Sequence, residues 1–208
     1  MAVRVALLLL LAPAAFGATD AELRVANAVI DWHVEHARDF WENEVGPNSQ
    51  TMAGTGRHTG RLVALEITVA PRVRNSYLHE QRRPADDARL ARLESTPLFR
   101  QYAHFRGGDP IEALRLRRDL LVVPGSRIPG FKQTIEDLDP ERFYQQYRRA
   151  RGLLLLSAPA VSADGDEALM YGELLMVFSQ TGRLFHLKKH AGRWVVEWSV
   201  EMLSVPGC

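Results

Sequence analysis

Residues 152–203 constrain the fold more than any other part of the chain. "GLLLLSAPAVSA", "EALMYGELLMVFS", "GRLFHLKKH" and "RWVVEWSVEML" are apolar and β-branched runs separated by "DGD", "QTG" and "AGR". Short Gly-containing interruptions between such runs are hairpin turns, so these segments predict strands closing in a three-stranded antiparallel meander. In the last run Trp194, Val196, Trp198, Val200 and Met202 fall on one face of an extended chain. Val195, Glu197, Ser199 and Glu201 fall on the other, a pattern that predicts an antiparallel sheet with one buried face. A sheet of that kind needs helices to cover it, so the expected class is α+β.

The covering helix is legible at the other end. "TDAELRVANAVIDWHVEHARDFWENE" meets no Gly or Pro before Gly46 and Pro47, and Thr19 and Glu22 stand in the capping-box relation. At about 100° per residue, Ala26, Ile30, His33, Ala37, Phe40 and Trp41 share a face. Between the two ends, "RLVALEITVA" (61–70) predicts a strand stopped by Pro71. "DDARLARLEST" and "TPLFRQYAHF" predict short helices, the second capped by Thr96 with Pro97 at its first position. "EALRLRRDLLVV" alternates as a strand that ends at the turn "PGSRIPG", and Asp139 and Pro140 open a further helix. No repeat or linker divides residues 18–208, which read as a single domain.

Residues 1–17 read as a signal peptide: Arg4, an apolar run from Val5 to Ala12, then small residues up to cleavage after Gly17. That run is far shorter than the roughly twenty residues a membrane span needs. The expected destination is the periplasm or the medium, with no transmembrane segment in the mature chain. Cys208 is the single cysteine, so no internal disulfide forms. It reads as an incidental thiol or an intermolecular crosslink. The 26 basic residues are balanced by 25 acidic ones, which gives no electrostatic reason to expect nucleic acid or an anionic membrane as partner. The basic set is almost entirely arginine, which reads as compositional bias before phosphate recognition.

The segment "IDWHVEHARDFW" (30–41) concentrates chemically able side chains: His33 and His36 three apart, with Glu35, Asp39 and Glu42 nearby. A hydrolytic zinc helix places its histidines four apart around a glutamate, which this spacing does not do. The expectation is therefore packing, with His33 buried and hydrogen-bonded and His36 solvated. The alternative is a hydrolase using His33, His36 and an acid such as Asp39, with zinc. "GTGRHTG" (54–60) follows a helix, precedes a strand and has no lysine, so it is not a phosphate loop. If a mobile loop carries function, Arg57 and His58 are its most capable side chains. Ser126, Ser157, Ser162 and Ser179 have no sequence-visible base or nucleophile elbow. Arg115 and Arg117 are expected on the solvated face of a strand, and Arg148, Arg149 and Arg151 at a helix end, where cations complement the dipole. Either cluster offers an anion site instead. Tyr144, Tyr147, Trp194 and Trp198 are either core or the wall of a ligand pocket. No cofactor is signalled.

The stretch 143–196 resembles a family of exported, uncharacterised bacterial proteins. The matching positions include Phe143, Tyr144, Tyr147, Asp164, Gly165, Ala168, Leu169, Tyr171, Gly182, Leu184, Leu187, Lys188, Gly192, Trp194 and Val196. Members of that family carry Cys-Gly pairs where this chain reads "MVFSQTG", so any role of those cysteines is absent here. The resemblance implies export and a helix-on-sheet fold, and the element order is similar to NTF2-like and cystatin-like folds. It implies no activity. The expected function is non-catalytic binding of a small ligand or an envelope protein between helix and sheet. The alternatives are the hydrolase above and an envelope scaffold that assembles through exposed sheet edges.

Overall fold

The structure is a computed structural model that describes residues 18–40, 50–51, 54–55, 60–70, 84–115, 117–131, 139–176 and 179–206. Helix α1, Asp20–Asp39, begins with the expected reciprocal cap. The Thr19 hydroxyl accepts from the Glu22 amide at 3.2 Å, and the Glu22 carboxylate accepts from the Thr19 amide at 2.6 Å. A two-residue ladder, β1 (Gln50–Thr51) with β2 (Gly54–Thr55), stands apart from the main sheet. Strand β3 is Leu62–Leu65, and α2 (Pro84–Glu94) and α3 (Pro97–Ala103) follow. Thr96 caps α3 by accepting from the Phe99 amide at 3.1 Å, with Pro97 in the first turn. Then come α4 (Glu112–Arg115), β4 (Leu120–Val123), a single 3-10 turn at Gly125–Arg127, and α5 (Pro140–Gln146), capped by Asp139. The chain ends in β5 (Leu153–Leu156), β6 (Ala160–Val161), β7 (Glu167–Met176), β8 (Ser179–His190) and β9 (Arg193–Pro206).

The α+β class and the closing antiparallel meander β7-β8-β9 are present, within a mixed seven-stranded sheet of order β4-β3-β5-β7-β8-β9, with β6 on β7. The mixture arises at β3, which pairs in parallel with β4 (Leu62 beside Leu120) and with β5 (Val63 beside Leu153). Three strands therefore start at the same end of the sheet. Parallel neighbours need long crossovers, supplied by the helical segments between β3 and β4 and between β4 and β5.

Four local expectations are corrected. First, both faces of the sheet are buried, not one. On one face α1 packs Val25, Ala26, Val29 and Ile30 against Leu154, Leu156, Met170, Phe185 and Leu187. On the other, α5 covers Val63, Leu65, Leu153 and Leu155 with Phe143 and Tyr144. Beside it α2 and α3 cover Leu169, Tyr171, Leu184 and Val200 with Leu90, Leu93, Phe99 and Tyr102. Second, Trp194 and Trp198 do not share a face. The register passes from Leu187–Val196 to His186–Trp198, leaving Glu197 as an extra residue, and such a bulge inverts the alternation beyond it. Trp194 and Val196 thus join the α1 core, while Trp198, Val200 and Met202 join the α2/α3 core.

Third, residues 112–123 are not one strand. Glu112–Arg115 makes a helical turn that buries Ala113 and Leu114 in the α1 core, and only Leu120–Val123 is extended. Arg117 is accordingly on no solvated strand face. Its guanidinium is largely buried and reaches Asp31 on α1 and Asp119, both at 2.6 Å, which pins the bend to the helix. Fourth, "QTG" is no turn. Gln180, Thr181 and Gly182 lie inside β8, and the hairpin closes where Met176 pairs with Ser179.

The other turns are as expected. Gly165 has φ 76° in "DGD", and Ala191 (φ 47°) and Gly192 (φ 81°) form the two-residue loop between His190 and Arg193. Among the described residues no helix is long and apolar enough to cross a membrane.

Candidate functional site

The parallel arrangement of β3, β4 and β5 sets the residues that enter those strands side by side. Arg61 precedes β3, Asp119 precedes β4, and Arg149 and Arg151 precede β5. With Val34 of α1 they line a cleft of about 510 Å³, within the range of small-molecule sites, roughly 300–1,000 Å³. Its walls are tied by backbone bonds: the Gly60 amide donates to the Arg149 carbonyl at 2.9 Å, and the Arg151 amide to the Arg61 carbonyl at 3.3 Å. Gly60 is required where it stands, because a Cβ there would lie 2.1 Å from the Arg149 carbonyl oxygen. The carboxylate in the lining, Asp119, is gripped at both oxygens by Arg117. That hydrogen bonding holds the Asp119 carboxyl below its usual range, with a smaller contribution from Arg61.

A second cleft of about 420 Å³ shares Gly60, Arg61 and Arg149 with the first. Val63, Leu121 and Ala150 give it an apolar floor, and Tyr147 and Gln146 form a wall. The wall is braced on the 3-10 turn: the Tyr147 hydroxyl and the Gln146 amide each donate to the Arg127 carbonyl at 3.0 Å. Arg148 and Arg149 follow α5 directly, consistent with cations beside a helix C-terminus.

The histidine cluster is arranged for packing. His33 is 1 % exposed, under the centre of the sheet-facing stripe of α1. Its ring meets Trp32 and Phe185 edge-on at 5.1 and 5.2 Å. It presses so closely on β7 that a Cβ on Gly172 would lie 2.3 Å from its Nε2. The expected hydrogen bond is not there: neither ring nitrogen has a partner among the described residues. Burial first, then His36 and Arg183, lowers its pKa to about 3, so the imidazole is neutral. His36 is exposed and stacks on Trp32 at 5.0 Å. Asp39 is exposed and lies 3.5 Å from Arg38. His33, His36 and Asp39 are thus not brought to one reacting point. Among the described residues no three His, Cys, Asp or Glu side chains gather as a metal site.

Of the aromatic candidates, Tyr147 lines the second cleft, whereas Tyr144 and Trp194 are core. Burial pushes the Tyr144 phenol well above its ordinary range. Trp198 is half-buried, with His186 at 4.9 Å and the Arg89 guanidinium 6.0 Å from its ring. Arg57, His58, Glu42, Trp41 and Cys208 lie outside the described residues. Ser157 serves the sheet, its hydroxyl accepting from the Tyr171 amide at 2.9 Å.

Two polar groups were not foreseen. Glu173, almost fully buried, accepts from the Tyr171 hydroxyl at 2.8 Å and from Gln180. Gly182 makes room for that hydroxyl, since a Cβ there would lie 2.1 Å from it. Glu167 meets Lys188 at 3.0 Å and His186 at 3.6 Å. Both groups depend on cross-strand register. Arg61, too, carries no signal in the sequence, because its meaning depends on which strands start beside it.

No protein-family model, no curated protein and no solved structure matches this chain, so the reading of its function rests on its own geometry.

Proposed function

We propose that the protein is an exported, non-catalytic binding domain that holds the anionic group of a small ligand, a phosphoryl or carboxylate group, in the arginine cleft. One observation carries this reading. Arg61, Arg149 and Arg151 line one cleft of about 510 Å³ together with Asp119. Guanidinium groups pair with such anions through charge-assisted, often bidentate hydrogen bonds. The space between α1 and the sheet is filled by the apolar core, so the ligand sits at the strand-entry edge and not beneath the helix. The same packing seals His33 from solvent, which weighs against a hydrolytic pair of histidines. Export rests on the leader pattern of residues 1–17 and on the resemblance of residues 143–196 to exported proteins.

Calorimetric titration with inorganic phosphate and with acetate at low ionic strength tests the site. Arg61→Ala is expected to weaken binding about tenfold, the worth of a charge-assisted hydrogen bond. Added salt is expected to weaken it further, because an exposed cleft is screened. No detectable binding of either anion would remove the reading. N-terminal sequencing of protein secreted from the full-length gene is expected to begin at Ala18; an intact Met1 end in the envelope fraction would remove the export part.

A further inference from the structure

We infer that the anion is the head of an amphiphile whose apolar body lies in the second cleft, a deduction that rests on the arginine-cleft reading above. The two clefts are contiguous, since Gly60, Arg61 and Arg149 belong to both. Where they meet, the Gly60 backbone is pressed on the Arg149 carbonyl, and Gly60 itself puts no side chain between them. To the shared Arg61 and Arg149 the first cleft adds Arg151 and Asp119, whereas the second adds an apolar floor of Val63, Leu121 and Ala150, with Arg148 beside it. Leu121 is 44 % exposed, one of only two large apolar side chains so exposed among the described residues. It sits on the edge strand β4, at the rim of this cleft. An exposed leucine alone is unremarkable. A leucine that extends an apolar floor directly from an arginine-lined cleft matches a ligand charged at one end and oily at the other. Tyr147, held against the Arg127 carbonyl at 3.0 Å, presents a fixed wall to that body.

The probes are inorganic phosphate, then butyl, hexyl and octyl phosphate below their micelle concentrations, with octyl glucoside as a neutral amphiphile. Binding is expected to tighten about two- to fourfold per added methylene until the cleft is filled, up to the value for a fully buried CH₂. Octyl glucoside is expected to bind at least tenfold more weakly than octyl phosphate. Leu121→Asp is expected to flatten the chain-length series, with circular dichroism checking its fold. The series on the unaltered protein stands as a test even if that variant does not fold. Phosphate binding with no gain from the alkyl chain would overturn the amphiphile and leave the arginine cleft standing. No binding of phosphate or any alkyl phosphate would overturn both. Equal affinity for octyl glucoside would show that the charge is not read. Co-sedimentation with phosphatidylglycerol vesicles but no binding of monomeric alkyl phosphate would replace the cleft by a membrane surface, and so overturn the inference.

Discussion

Ala191 carries a φ of 47° in the two-residue loop that joins β8 to β9, with Gly192 at 81° beside it. Loops of this kind prefer Asn or Asp before Gly, because both positions need a positive φ that a Cβ disfavours. Ala191→Asn is therefore expected to stabilise the fold by about 0.5–1 kcal/mol in denaturant unfolding. An unchanged or lowered midpoint would show that the loop is not strained at this residue. The same scale explains two strand glycines. Gly172 leaves room for the His33 ring on one face of the sheet, and Gly182 leaves room for the Tyr171 hydroxyl on the other. A glycine inside an apolar run is visible in the sequence, but which atom needs its space is not.

At the scale of the element, β9 shows how one residue redirects a strand. Glu197 is exposed, and its carboxylate meets His190 at 2.6 Å. An exposed ion pair of that kind contributes about 0–1 kcal/mol, so Glu197→Ala is expected to be nearly silent. Deleting Glu197 is a different perturbation. It removes the extra residue and makes Val196 and Trp198 neighbours, so ordinary alternation keeps Trp194 and Val196 towards α1 and Trp198 and Val200 towards α2 and α3. The deletion is expected to leave unfolding cooperative and to cost no more than about 2 kcal/mol, since no core side chain changes face. A deletion variant that loses cooperative unfolding would show that the extra residue does more than set the faces. Along β9 the alternation is regular in sequence, and the bulge is invisible there because the extra residue obeys the same polar pattern. The buried second face was partly legible, in the unbroken runs Leu153–Leu156 and Leu174–Met176.

The whole molecule is a two-sided sheet, and its stability against acid is tied to the imidazole sealed between α1 and β7. Folding lowers the His33 pKa from 6.5 to about 3. Below pH 6.5 the unfolded chain takes up a proton that the folded chain refuses, so stability falls as pH drops from about 6.5 towards 3. Between pH 8 and pH 5 the loss from this one group is about 2 kcal/mol. The charged groups around it act in one sense with burial, His36 on its own helix and Arg183 from the sheet. His33→Leu is expected to flatten most of that slope and, by removing two unpartnered ring nitrogens, to raise stability at pH 7 by about 1–3 kcal/mol. A residual slope is expected from His186, which burial also holds low while Glu167 opposes. Urea unfolding at pH 8, 6.5 and 5 measures this, and an unchanged slope in the variant would assign the acid sensitivity elsewhere. The scaffold alternative belongs to this scale as well. The sheet's long edge, β9, carries two register shifts and the charged Arg193, Glu197 and Glu201, features that discourage pairing with another strand.

The amino-acid order by itself determined what depends on near neighbours: the capped first helix, the caps at Thr96 and Asp139, the turns at Gly165 and Gly192 and the antiparallel tail. It also put His33 inside, since helical periodicity is a local property. Only the tertiary structure decided that β3 runs parallel to β4 and β5, that both faces of the sheet are covered, and that Arg61, Arg149 and Arg151 share a cleft. Those facts depend on pairings between segments tens of residues apart. Parallel and antiparallel partners present the same apolar pattern along a strand, and a basic residue before a strand acquires meaning only from what begins next to it.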